Sequence, residues 1–173
     1  MVKIIFNNFL IRKFIKKDLD TQYIEWFINK KNFKYTRHKN KIYSKKKLFD
    51  YFEHHEKNSD SLFLVCIDRQ KRKKIATLTV YIDKKNKVAD VGILIGENDY
   101  LGKGLSKTIL NKVFDFIFNE LNLNRITMGT DIRNKPMVKS CLSLGMKKRN
   151  EYNIKDKNII SFQKTKKIFH ILE

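Results

Sequence analysis

Proline occurs once in the 173 residues, at Pro136, and cysteine only at Cys66 and Cys141. Two thiols are too few for a disulfide framework or a four-ligand zinc site, and no metal centre is expected. Long hydrophobic runs are missing too. The longest, Leu62 to Ile67, falls far short of the roughly 20 residues that a bilayer span requires. The apolar start of the chain is interrupted by Lys3, Asn7, Asn8 and Arg12 before a signal-type core can form. Glycine is sparse, no Ser/Gly-rich linker occurs and no segment repeats, so nothing marks a second domain. The expectation is a single cytoplasmic domain spanning residues 1–173, with no membrane segment.

Acidic residues are scarce: 18 Asp and Glu face 38 Lys and Arg, for a formal net charge of +20. Only seven of the basic residues are arginine. The lysines come with many Asn and Ile, all residues with A/T-rich codons, which reads as compositional bias. They also form short groups spread from end to end (Lys45 to Lys47, Lys71 to Lys74, Lys147 to Arg149, Lys164 to Lys167), with no zinc-finger spacing, RNP-type aromatic motif or heptad beside them. That pattern favours a solvated surface over a nucleic-acid interface. Its positive field still attracts anionic ligands.

Hydrophobic content of 42% is enough for a core, so global disorder is excluded. Periodicity and turn residues predict a strand over Phe9 to Phe14, and then a helix capped by Asp20 with Tyr23, Ile24, Trp26 and Phe27 inward. After a loop, a second helix capped by Ser44 carries Leu48, Phe49, Tyr51 and Phe52 on its buried side, with His54 and His55 at the surface. Strands follow at Leu62 to Ile67, Ile75 to Ile82 and Val88 to Ile95. The long helix from Leu105 to Leu121 follows Gly102-Lys103-Gly104 directly, and is succeeded by a strand from Arg125 to Thr130. Asn134 to Leu144, with Pro136 in its first turn and Gly145 at its end, is a short helix, and Ile159 to Phe162 is a last strand. The fold class is α/β: a mixed sheet of six or seven strands with helices on both faces.

The strand, the Gly-x-Gly turn and the long helix together form an anion site. Glycine lets the backbone approach a ligand, and the unpaired N–H groups and dipole of the helix start favour negative charge. Lys103 adds a full positive charge between the glycines. Neither a Walker P-loop nor a dinucleotide fingerprint fits, since Lys107 stands where the latter needs its third glycine.

The stretch from Ala89 to Lys147 resembles the acetyl-CoA-binding half of the GNAT N-acetyltransferases. In that superfamily a splayed strand precedes a Gln/Arg-x-x-Gly-x-Gly/Ala turn and a long helix; the matching turn here is Asp99-Tyr100-Leu101-Gly102-Lys103-Gly104. A strand and an Asn-initiated helix ending in Gly-Phe follow, matched by Asn134 through Gly145-Met146. Asp99 departs from the Gln/Arg position and Met146 from the usual aromatic.

The resemblance implies a GNAT-type, mostly antiparallel sheet and acetyl-CoA as cosubstrate. It places the pyrophosphate of coenzyme A on the amides of Leu101, Gly102, Lys103, Gly104, Leu105 and Ser106. The pantetheine arm would lie along Ile93, Leu94 and Ile95 as an added strand, with Asn134 reaching it from the short helix. An amide near Ile95 is available to a developing oxyanion. Candidates for the base that keeps the attacking amine neutral are Asp90, where some relatives carry a catalytic Glu, Glu97 and His38. Many relatives place an acidic Tyr seven residues after the Asn; here that residue is Cys141, either a proton donor to the departing thiolate or simply core packing.

Two further stretches bear on the acceptor. Tyr23 through Asn29, with Tyr35-Thr36 after it, resembles the Trp-x-x-Asn stretch of acetyltransferases acting on nucleotide-linked amino sugars, and Val91 through Gly104 is similar to that group's turn. The implied substrate contacts are Trp26, Asn29, Tyr35 and His38, although Trp26 serves equally as a core anchor. The expected partner is a small-molecule amine on an anionic nucleotide sugar. Polyamines and protein N-termini, including those of ribosomal proteins, are the alternatives, and a basic nucleic-acid-binding module is the non-enzymatic one. A homodimer is compatible with the resemblance.

Overall fold

The computed structural model describes residues 2–28, 35, 43–154 and 157–166. In chain order they form β1 (Lys3–Phe6), β2 (Phe9–Lys13), α1 (Thr21–Ile28), α2 (Lys45–Lys57), β3 (Ser61–Asp68), β4 (Lys73–Asp83) and β5 (Val88–Ile95). Then come α3 (Leu105–Asn119), β6 (Arg125–Asp131), α4 (Lys135–Ser143), β7 (Lys147–Ile154) and β8 (Lys157–Thr165), with short 3-10 turns at Lys16–Asp18 and Asn98–Tyr100. The strands build one sheet in the order β1-β2-β3-β4-β5-β6-β8-β7. Every pairing is antiparallel except β5–β6.

The mixed, mostly antiparallel sheet with helices on both faces matches the expectation, but it has eight strands rather than six or seven. The two additional strands are its edges. β1 returns into β2 through a two-residue turn in which Asn7 takes φ 46°, a conformation Asn tolerates. β7 is almost entirely polar and exposed, as suits an edge that must not pair with another chain.

Pleating sorts the core. β3 sends Leu64 and Cys66 to one face and Phe63 and Val65 to the other. On the first face these residues meet Leu78, Val80, Ala89 and Val91, beneath Ile109, Leu110, Val113, Phe114 and Ile117 of α3 and Cys141 of α4. On the second, Phe14 stacks on Phe63 with centroids 4.4 Å apart, under Tyr23 and Trp26 of α1 and Leu48 and Phe52 of α2. Each such side chain contributes about 1.5–3 kcal/mol by leaving water.

The helix ends follow the expected chemistry. Tyr23 N–H donates to Asp20 Oδ1 (3.1 Å), and Lys47 N–H donates to Ser44 Oγ (3.2 Å). Met137 N–H donates to Asn134 Oδ1 (3.4 Å), and Gly145 closes α4 at φ 74°. His54 is exposed, but His55 departs from its expected surface position and is buried. It falls on the stripe of Leu48 and Phe52, at the spacing that points a helical residue inward. Among the described residues, no helix is long and apolar enough to cross a membrane.

Candidate active site

β5 pairs with β4 along its whole length, from Ala76↔Ile95 to Asp83↔Val88. With β6 it pairs only from Val88↔Arg125 to Asp90↔Thr127. Beyond Asp90 the two strands part, leaving a wedge in the middle of the sheet.

The direction of the main-chain groups in this wedge follows from the ladder. Gly96 N–H donates to Ile75 O (3.0 Å), so 96 and 75 form a hydrogen-bonded pair; strict alternation then commits residues 94 and 92 to β4 as well. Ile93 and Ile95 therefore turn their N–H and C=O groups into the wedge, whereas the main chain of Leu94 is spent on β4. Leu94 is thus corrected as a main-chain contact for an added strand. The side chains of Ile93 and Ile95 pack against the α3 face of the core.

β5 leads, through Gly96 and the 3-10 turn at Asn98–Tyr100, into Leu101-Gly102-Lys103-Gly104 and the start of α3. Gly102 and Gly104 have φ of 73° and 72°, the left-handed region where a Cβ is disfavoured. Apart from the glycine and the residues flanking it, nothing lies within 4 Å of a Cβ built at either position, so the turn faces open space. Gly104 is the N-cap of α3, and its carbonyl accepts from Lys107 N–H (3.1 Å). The amides of Leu105 and Ser106, ahead of that bond, are at the helix start where N–H groups lack intrahelical partners. Leu101 and Lys103 are exposed beside them.

Asp90 lies at the closed end of the wedge. Register places it opposite Tyr81 on β4 and Thr127 on β6, on the sheet face that carries α1 and α2. Thr127 Oγ1 donates to Asp90 Oδ1 (2.7 Å). Asp90 lines a shallow cavity of about 430 Å³ together with Asp60, Tyr81, Asp83 and Arg125. Asp60 is ion-paired with Lys84, so three carboxylates face the Arg125 guanidinium and the Lys84 ammonium, and the spot is mildly acidic on a basic protein.

Glu97 is in a different position. Its Oε1 accepts from Gln22 Nε2 (2.8 Å) and Trp26 Nε1 (2.9 Å), and its Oε2 pairs with Lys73 Nζ. Burial raises its pKa, but the hydrogen bonds from Lys73, Trp26 and Gln22 outweigh that and hold the carboxyl below its ordinary range. It stays ionised and fully engaged. Cys141 has no exposed surface and lies in the α3-side core, where burial pushes the thiol up to about 11. Asn134 caps α4 while its Nδ2 donates to Thr130 Oγ1 (3.3 Å), half-buried beside the wedge.

Of the acceptor candidates, Trp26 is 3% exposed and packs over Gly96, so it anchors the core rather than presenting a ring to a ligand. Tyr35 is half-buried and acts electrostatically on Arg133, whose guanidinium grips the buried Asp131 at 2.6 Å and 2.9 Å. Asn29 and His38 lie outside the described residues. The sequence reading missed one polar cluster on this face. His55 Nδ1 pairs with Ser61 Oγ, and its Nε2 is 3.5 Å from the Tyr81 hydroxyl, next to Asp90.

The splayed strand pair, glycine turn and capped helix define the class. A family model described as an acetyltransferase (GNAT) domain matches residues 8–147, and the chain belongs to that family. Among curated proteins it is 37% identical over 67 residues to an uncharacterized N-acetyltransferase p20 from Bacillus licheniformis, a match covering 39% of this chain and 37% of that one. Among solved structures it is similar to a spermidine N-acetyltransferase from Vibrio cholerae in complex with CoA and spermine, with TM-score 0.81 and 19% identity over 91% of this chain and 95% of that one. It is also similar to a ribosomal-protein-S5-alanine acetyltransferase from Vibrio fischeri, with TM-score 0.75 and 22% identity over 95% and 97% of the two chains. These two likenesses are of fold.

Proposed function

We propose that this chain moves the acetyl group of acetyl-CoA to a primary amine by direct attack. The observation that carries the reading is the wedge: β5 and β6 part after Asp90, Ile93 and Ile95 face the opening, and the strand ends in an open glycine turn at the start of α3. A diphosphate fits the turn, where the amides of Gly102 to Ser106, Lys103 and the helix dipole meet its charge. A pantetheine amide chain fits the wedge, since Ile93 and Ile95 offer a donor and an acceptor each, as a sheet edge does. Asn134 borders the same opening.

In the chemistry that follows, the amine attacks in its neutral form, and Asp90 takes the proton that the nitrogen sheds once the C–N bond forms, then returns it to solvent. The amine lone pair forms a C–N bond to the thioester carbonyl, and a wedge-facing amide of Ile93 or Ile95 holds the oxyanion. The C–S bond then breaks and the thiolate takes a proton from water, because Cys141 is sealed in the core. Glu97, committed to three partners, is not the base.

For the acceptor we propose an amine on an anionic carrier of the nucleotide-linked amino-sugar kind, supported by the net charge of +20 and the resemblance around Val91 to Gly104. Asp83 and Asp90 favour a second reading, a cationic amine such as a polyamine or a protein N-terminus. The test is thiol release from acetyl-CoA with a UDP-linked amino sugar, spermidine and short N-terminal peptides, each at two ionic strengths. The first reading expects turnover on the sugar, with a KM that rises with salt. Preference for spermidine or a peptide replaces it with the second. Failure of acetyl-CoA to raise the unfolding temperature refutes acetyl transfer altogether.

A further inference from the structure

Between the end of β5 and the glycine turn runs a short arm, residues 96–101, and its anchorage is unusually thorough. At its start, Gly96 lies under the Trp26 indole so closely that an added Cβ would fall 1.8 Å from the ring. Glu97 then receives the Trp26 Nε1 and Gln22 Nε2 protons from α1 and the Lys73 ammonium from β4. Gln22 Nε2 also donates to Lys74 O (2.9 Å), which fixes α1 to β4 by a second route. The Glu97 carbonyl accepts from Tyr100 N–H (3.1 Å) and so begins the 3-10 turn itself. At the far end, the Tyr100 hydroxyl donates to Asp68 Oδ2 (2.7 Å), with Phe9 edge-on to its ring and Lys71 Nζ 5.4 Å from the ring centroid. Two residues later comes Gly102.

We infer that Glu97 is a positioning residue: through it α1 sets the place of the glycine turn, so that coenzyme affinity depends on Gln22 and Trp26, which lie over 70 residues earlier. The proposal rests on the reading of the Leu101-to-Ser106 turn as the diphosphate cradle. Such a cradle binds more tightly when its amides converge before the ligand arrives, because ordering a loose loop consumes binding energy. Three charge-assisted or buried hydrogen bonds on one carboxylate supply that rigidity.

The test uses Glu97→Ala, Glu97→Gln and Trp26→Phe, with calorimetric titration of coenzyme A and the acceptor KM at saturating acetyl-CoA. Losing a hydrogen-bonded carboxylate is worth about tenfold or more in equilibrium terms, so Glu97→Ala is expected to raise the coenzyme Kd by about that factor. Glu97→Gln, whose amide oxygen still accepts from α1, is expected to raise it less. Trp26→Phe keeps an aromatic ring but removes the donor, and it tests the link even if Glu97→Ala fails to fold. The acceptor KM is expected to hold in all three. A lowered unfolding temperature with unchanged coenzyme Kd overturns the proposal by reducing Glu97 to a structural brace. A fall in kcat at unchanged Kd overturns it in favour of a base. Gly104→Val is the control: its Cβ branches meet the ligand at a left-handed φ, so binding should vanish. Binding lost in Gly104→Val but kept in the Glu97 variants refutes the positioning role alone, whereas wild-type affinity in a folded Gly104→Val refutes the cradle and everything built on it.

Discussion

Acid should unfold this protein earlier than its carboxylates alone dictate, and His55 is the reason. The imidazole is 2% exposed on the inner face of α2, stacked on Phe63, edge-on to Tyr51, and bound to Ser61 and Tyr81. Burial, and secondarily the neighbouring His54, push it from the ordinary 6.5 down to about 4. The sign follows from proton counts. Below pH 6.5 the unfolded chain binds a proton that the folded chain refuses, so stability is complete above that pH and falls as pH drops toward 4. The full gap is worth about 3 kcal/mol, and about 2 kcal/mol of it is gone by pH 5, before ordinary carboxylates titrate. Urea unfolding at pH 7 and pH 5, compared between wild type and His55→Gln, isolates the effect. The wild type should lose about 2 kcal/mol in that interval and the variant almost none. Equal slopes in the two proteins refute the assignment of the loss to His55.

Two further substitutions address the chemistry. Cys141→Ala removes one buried heavy atom, so it should lower stability by about 1 kcal/mol in urea melts and leave turnover intact; reduced turnover at unchanged coenzyme affinity would make the thiol the leaving-group acid. Asp90→Asn keeps an oxygen for Thr127 but no base, so kcat should fall by about a hundredfold or more at unchanged coenzyme Kd, as stopped-time thiol assays would register; full turnover would remove Asp90 from the mechanism.

The parts of the fold that were legible in the sequence are those where period and punctuation agree. The α3 stripe from Leu105 to Ile117, the Ser44 and Asn134 caps and the glycine turn all lie where residue chemistry placed them. β1 and β7 were not legible because edge strands need no buried alternation: four residues carry β1, and β7 reads Lys-Lys-Arg-Asn-Glu-Tyr-Asn-Ile. The roles of Glu97 and Leu94 escaped for a related reason. A carboxylate at a strand end looks the same in sequence whether it faces solvent or three donors from distant segments. Which main-chain groups of a strand point to which neighbour is set by register, which pairing alone reveals. His55, by contrast, could have been found, since Leu48, Phe52 and His55 share one helical face.

The three-residue seam between β5 and β6 has a consequence of its own. It divides the sheet into a five-stranded leaf, β1 to β5, and a three-stranded leaf, β6 to β8, joined by little main-chain bonding and bridged by α3. Under the proposed function, a pantetheine arm on Ile93 and Ile95 would add a short strand to the β5 edge beyond Asp90. Deuterium should then enter the Ile93 and Ile95 amides readily in the empty protein and slowly in the loaded one. Release of the spent thiol, on the same reading, amounts to peeling a strand from the open edge of β5.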